Sequence, residues 1–179
     1  MDNKLEDLRM HNIKLVAIDL DDTLLRDDLT ISQFSRDVLQ QVQEAGVTVT
    51  LATGRMLPSA LPYAEQLGFD VPLITYQGAL VKNAFSGEVL YNCPLSKDVA
   101  SVVIRYGRKR EIHINLYMED KLFVEHVTKA GEHYARLAGV PFTRVDDLEE
   151  LLEKDLPYKM LLIDDQQVID QELEELRVT

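Results

Sequence analysis

The chain has 179 residues, room for one domain or for one domain carrying a smaller insert. Its formal net charge of −12 offers no basic stripe to a nucleic-acid backbone, and its single cysteine, Cys93, excludes an internal disulfide framework and fits a reducing, cytoplasmic setting. No apolar run approaches membrane-spanning length, and the polar stretch Met1 to Asn12 lacks the apolar centre of a signal peptide.

Leu15-Val16-Ala17-Ile18 is an unbroken apolar run that predicts a strand buried on both faces, as parallel sheets require. It ends abruptly in Asp19-Leu20-Asp21-Asp22. Two carboxylates this close raise each other's pKa unless a cation lies between them. A hard divalent ion such as Mg²⁺, held by one or two carboxylates and a substrate phosphate, resolves the conflict.

The segment Ser32 to Ala45 carries Phe34, Val38, Val42 and Ala45 at helical spacing, with Gly46 as its stop. Val47 to Ala52 is β-branched and strand-like, and it runs into Thr53-Gly54-Arg55. A second helix reaches Leu67 with Leu57, Leu61, Ala64 and Leu67 on one face; Pro58 and Pro62 obscure where it starts. Val71 to Thr75 reads as a third strand leading into Tyr76-Gln77-Gly78-Ala79. A β-α-β-α-β order implies right-handed crossovers and a parallel sheet, whose ligands gather at the carboxyl ends of the strands. Asp19 and Thr53 both occupy such ends, on consecutive strands.

From Leu80 the texture becomes α+β. Leu80 to Lys82 and Glu88 to Asn92 read as a hairpin through Ser86-Gly87. A helix starts at Ser96 with Val99, Val102, Val103 and Tyr106 inward, and ends in the basic run Arg108-Lys109-Arg110, which complements the helix dipole. A second hairpin joins Ile112 to Met118 with Leu122 to Glu125 through Glu119-Asp120. Helices are predicted at Thr128 to Ala138, Asp147 to Lys154 and Gln166 to Arg177, and strands at Phe142 to Val145 and Lys159 to Ile163. His11, His113, His126 and His133 are scattered without zinc-ligand spacing.

Three motifs carry the chemistry: Asp19-Leu20-Asp21-Asp22-Thr23, then Ala52-Thr53-Gly54-Arg55, then Ile74-Thr75-Tyr76-Gln77-Gly78-Ala79. In order and spacing they resemble the haloacid dehalogenase superfamily of phosphohydrolases, and its Cof-type branch in particular. The resemblance implies an α/β fold, with a Rossmann-like parallel-sheet core in residues 1–82 and an inserted α+β cap in residues 83–179. It also implies a Mg²⁺-dependent phosphomonoesterase acting on small phosphorylated metabolites such as sugar phosphates.

On this resemblance Asp19 is the nucleophile that forms an aspartyl-phosphate, and Asp21 is the general acid and then the base. The Asp19 side chain and the Asp21 main-chain carbonyl hold Mg²⁺. Thr53 and the Gly54 amide hold the transferring phosphoryl oxygens. Arg55 and Gln77 are weaker candidates for substrate contact. Asp22 and Thr23 read as turn residues, Gly78 as a position needing backbone freedom, and Tyr117 and Tyr158 as core.

The family also carries a lysine and a further acidic motif after its cap. Here Met160 to Ile163 followed by Asp164-Asp165, with Asp170 beyond, imitates the shape of that acidic motif. No glycine precedes the acidic pair, however, and Ile169, Leu173 and Leu176 suit an amphipathic cap helix. The expectation is a chain shortened within its cap. The alternative reading is a catalytically impaired or inactive fold with only a structural or interaction role. A signalling receiver domain also pairs carboxylates after its first strand, but the later strands here end in Thr53 and Thr75 rather than in a phosphoacceptor aspartate. If the first strand lies open, self-association through it is expected.

Overall fold

The structure, a computed structural model, describes residues 13–68 and 70–177. His11, the Met1 to Asn12 stretch and the side chain of Leu176 fall outside that description. The chain forms two compact units, Met1–Cys93 and Pro94–Thr179. The division expected between residues 82 and 83 falls inside a hairpin that belongs wholly to the first unit's sheet.

The first unit contains β1 (Leu15–Asp19), α1 (Gln33–Glu44), β2 (Thr48–Ala52), α2 (Leu57–Leu67), β3 (Pro72–Thr75), β4 (Leu80–Asn83) and β5 (Val89–Asn92). The sheet order is β1-β2-β3-β4-β5; the first three strands are parallel, and β4 and β5 return antiparallel. Ser32 starts α1, its Oγ accepting the Ser35 N–H at 2.9 Å and filling one of the donors a helix start leaves open. The doubt over α2 resolves in favour of a long helix. Pro58 occupies its first turn, where a missing N–H costs nothing, and Pro62 is accommodated inside it.

Two burial expectations fail here. Leu39 and Val42 form the buried face of α1, whereas Phe34 is 69% exposed. β1 is not buried on both faces: Leu15 is 56% exposed, and Val16 and Ile18 are half-buried; it is also the edge of its sheet among the described residues.

The second unit contains α3 (Lys97–Arg110), β6 (His113–Met118), β7 (Lys121–Val124), α4 (Lys129–Ala138), β8 (Phe142–Arg144), α5 (Leu148–Leu151), β9 (Lys159–Ile163) and α6 (Gln166–Arg177). Its sheet runs β8-β7-β6-β9, with β6 antiparallel to both neighbours and β7 parallel to β8. The β6–β7 turn places Glu119 and Asp120 both at positive φ, the twist a two-residue hairpin favours. Every residue of β6 is buried. Ile114, Leu116 and Met118 pack with Ala100, Ile104, Phe123, Leu148, Leu151 and Leu152 into one apolar cluster.

The inward face of α3 therefore differs from the one the valines suggest. Ala100, Ile104 and Gly107 face the sheet, while Val99 and Val102 are exposed. A Cβ on Gly107 would lie 2.7 Å from the Ile114 side chain, so the helix sits close only because that side chain is missing. Close approach selects small residues, and a hydrophobicity pattern misses them.

Candidate active site

The first unit's strand ends carry the candidate residues. β1 finishes at Asp19, whose Oδ1 accepts the Leu20 N–H at 2.8 Å. The chain then makes a wide turn over Leu20–Leu24, closed by the Leu25 N–H on the Leu20 carbonyl at 2.9 Å. Leu20 is fully buried and anchors this turn, while Asp22 takes the left-handed conformation at φ 56°. Asp22 thus serves the turn, as its sequence suggested. Beyond it, Leu25 bridges Ile31, and a polar depression of about 300 Å³ opens among Asp21, Asp22, Leu25, Arg26, Asp27 and Leu29.

Asp19 is in register with Ala52, so the residue after β2 lies beside the end of β1. That residue, Thr53, is buried. Its N–H donates to the Ile74 carbonyl at 2.8 Å, and its Oγ1 accepts the Arg55 N–H at 3.2 Å. Two further bonds tie this turn to the next: Tyr76 N–H to the Arg55 carbonyl at 3.0 Å and Gln77 N–H to the Thr53 carbonyl at 3.3 Å. Tyr76, Gln77 and Gly78 all have positive φ, an arrangement that costs of order 1 kcal/mol or more for each non-glycine residue and persists only where neighbours hold it. The Gln77 side chain lies over Gly54, where any Cβ would collide with its amide. Gly54 therefore lets two turns approach at one edge.

Arg55 reaches across to Asp21. Its Nε donates to Oδ2 at 2.9 Å and its Nη2 to Oδ1 at 2.6 Å, a fork-to-fork pair between residues far apart in sequence. These hydrogen bonds hold the Asp21 carboxyl below its ordinary range against the opposing effect of partial burial. The other side of the guanidinium faces the ring of Tyr63, 5.3 Å from the ring centre. Tyr63 is a buried residue of α2.

The sequence candidates thus fall into three contacts: Asp19 beside the Thr53 turn, Asp21 with Arg55, and Gly54 with Gln77. Sequence reasoning missed Tyr63, because no local period links a helix aromatic to an arginine in the turn before it. Asp164, Asp165 and Asp170 lie in the second unit after β9. There Asp164 accepts the Asp165 N–H at 2.7 Å and Asp170 accepts the Gln166 amide at 2.8 Å. Tyr117 is buried and donates its hydroxyl hydrogen to Tyr134 at 2.8 Å.

For a metal, the turn after β1 offers hard oxygens, among them the Asp19 carboxylate and the Asp21 main-chain carbonyl that the sequence motif singles out. Among the described residues no group of three His, Cys, Asp or Glu side chains suits an ion. The pair fits Mg²⁺ as the protein share of a site completed by water and substrate phosphate, since this ion keeps several waters and is held by few carboxylates. Among the described residues no helix is long and apolar enough to cross a membrane.

A family model described as haloacid dehalogenase-like hydrolase matches residues 16–178. A Streptococcus pyogenes protein is 32% identical over 174 residues, covering 92% of this chain and 62% of its own length. The 5-amino-6-(5-phospho-D-ribitylamino)uracil phosphatase of Bacillus subtilis is 30% identical over 147 residues, covering 79% of this chain and 53% of that enzyme. The crystal structure of a Thermotoga maritima protein superposes with a TM-score of 0.80 at 32% identity, covering 92% of this chain and 61% of that one. The chain thus spans 53–62% of the length of these three proteins.

Proposed function

Because the chain belongs to the haloacid dehalogenase-like hydrolases, we propose that it hydrolyses phosphomonoesters of small metabolites through an aspartyl-phosphate on Asp19. One observation carries this reading: Asp19 stands at the end of β1 in register with Ala52, directly beside the buried Thr53 and its turn. The same edge holds Asp21 in a two-point grip from Arg55.

In the first step an Asp19 carboxylate oxygen attacks phosphorus, and the phosphorus–oxygen bond to the substrate breaks. The departing alkoxide takes a proton from the Asp21 carboxyl. In the second step water attacks the acyl phosphate, Asp21 accepts the water proton, and inorganic phosphate and the Asp19 carboxylate are released. The Arg55 contact favours ionised Asp21, the form the second step uses. Thr53 and the Gly54 amide hold the phosphoryl oxygens as charge develops. Asp19 and the Asp21 carbonyl would hold Mg²⁺, which when bound neutralises phosphate charge. The second unit serves as the α+β cap. The substrate class is a small polyhydroxylated phosphoester, the kind named for the Bacillus subtilis relative.

The test is turnover of an aryl phosphate with Mg²⁺ by wild type and Asp19→Asn. Loss of the nucleophile lowers turnover by about three orders of magnitude or more. A variant retaining more than about a tenth of the rate overturns the assignment. The second reading, a fold with impaired catalysis, draws on the two-donor metal set; it prevails if the folded wild-type chain releases no phosphate at saturating Mg²⁺.

A further inference from the structure

Arg55 is the residue whose position least suits simple substrate binding. Both donors of its fork face the Asp21 carboxylate, at 2.9 and 2.6 Å, and the guanidinium carbon lies over the Tyr63 ring, 5.3 Å from its centre. The Arg55 side chain is only 20% exposed, while Asp21 is 47% exposed and borders the depression of the following loop. The main chain of Arg55 is fixed at both ends, by its N–H on Thr53 Oγ1 and by its carbonyl accepting from Tyr76. Tyr63 is fixed in turn by its place on the buried face of α2. Buried groups therefore stand behind an exposed one: helix ring, then guanidinium, then a carboxylate half open to solvent.

We propose that Tyr63 and Arg55 are positioning residues for proton transfer by Asp21, with Tyr63 orienting the guanidinium and the guanidinium orienting the carboxylate. This rests on the phosphatase reading above. Asp21 lies on an exposed turn beside a left-handed residue, so nothing in its own segment holds its carboxyl group. A two-point contact from a planar cation removes that freedom, and a point charge does not. Misplacing a reacting group by about 1 Å costs on the order of a hundredfold in rate. The loss should appear only where a proton has to move. An alkyl phosphate requires protonation of its leaving oxygen, whereas p-nitrophenolate departs without it.

The experiment compares kcat/KM for p-nitrophenyl phosphate and for an alkyl phosphate such as glycerol phosphate, because kcat/KM reports the step that expels the leaving group. Arg55→Ala should lower the alkyl value by about 30- to 100-fold and the aryl value far less, the lost orientation outweighing the larger protonated fraction of Asp21 that removal of the cation leaves. Arg55→Lys should fail to restore the alkyl value, and Tyr63→Leu should give the same pattern more weakly. Equal losses on both esters would overturn the proposal, since they would make Arg55 a phosphate-binding residue. A second measurement is independent of turnover. In heteronuclear NMR the Arg55 Nε–H should be protected from solvent exchange in wild type and lose that protection in Asp21→Asn and Tyr63→Leu. An equally fast-exchanging Nε–H in wild type would overturn the clamp itself. Absence of turnover on both esters by wild type would overturn the phosphatase reading and the catalytic role with it, while the NMR signal still decides whether the clamp exists.

Discussion

Glu125 follows β7 with only 8% of its surface exposed, and it joins α3 to the start of α5. Arg108 of α3 donates to both its oxygens, with Nε at 3.1 Å, and the Leu148 N–H at the start of α5 donates to Oε1 at 2.7 Å. Burial alone would raise this pKa; the Arg108 and Leu148 hydrogen bonds outweigh it and hold the carboxyl below its ordinary value. Glu125→Gln keeps the shape and one acceptor but turns an amide toward the guanidinium. Hydrogen bonds to a charged group contribute about 1.5–3 kcal/mol, and removing one partner of a fully buried pair costs about 3–5 kcal/mol. Arg108 is 33% exposed and still meets Asp147 and Glu149, so the lower range applies, about 2 kcal/mol. Because the folded pKa lies below the unfolded one, the contribution is complete above the unfolded carboxylate value. It disappears as pH falls through the folded value. Urea unfolding followed by hydrogen exchange at the β6 and α5 amides should show the loss at neutral pH and convergence of the two proteins as pH falls through the folded Glu125 value. A neutral-pH loss under about 0.5 kcal/mol, or an equal loss in acid, would refute the reasoning.

Three further outcomes are expected. Gly131→Ala should destabilise by about 1–3 kcal/mol in thermal unfolding, because the new Cβ meets the buried His113 ring, which Asn115 holds at 2.9 Å; a neutral result would show that the ring can swing away. Mg²⁺ alone should bind weakly in calorimetry, with Asp19→Asn weaker still, whereas micromolar affinity would mean that further acidic residues complete the site. Light scattering should show self-association through the open edge of β1, reduced by Val16→Lys; a monodisperse particle of 20.4 kDa would show the edge to be protected.

The strand ends and helix starts were legible because their signals are local. Lys159–Ile163 is a strand with the bounds its short apolar run suggests, and Ser32 and Ser96 cap helices as their hydroxyls allow. Asp19 and Thr53 were placed together by topology alone, since parallel neighbours bring consecutive carboxyl ends to one edge. Faces were less legible. Val99 and Val102 look like the inner stripe of α3, yet Ala100, Ile104 and Gly107 occupy it, and at Gly107 the proximity of Ile114 and Leu162 leaves no room for a side chain. An apolar run such as Leu15 to Ile18 cannot announce whether a neighbour covers its second edge. The Arg55–Asp21 pair was invisible for a different reason: it joins two turns whose separation in space follows only from the sheet.

The bonds that tie the Thr53–Arg55 turn to the end of β3 also bear on when the site comes into being. Thr53, Tyr76 and Gln77 donate across two loops that no local interaction brings together. Each parallel pairing in this sheet requires a helical crossover to close first, so its entropy is lost before its contacts form. The Thr53–Arg55 turn is consequently a late product of folding, complete only when the third strand docks. Any change that frays β3, even one far from the carboxylates, removes the turn's scaffold while every reactive side chain is still present. The geometry of the Thr53–Arg55 turn is therefore coupled to the docking of one short strand, Pro72–Thr75.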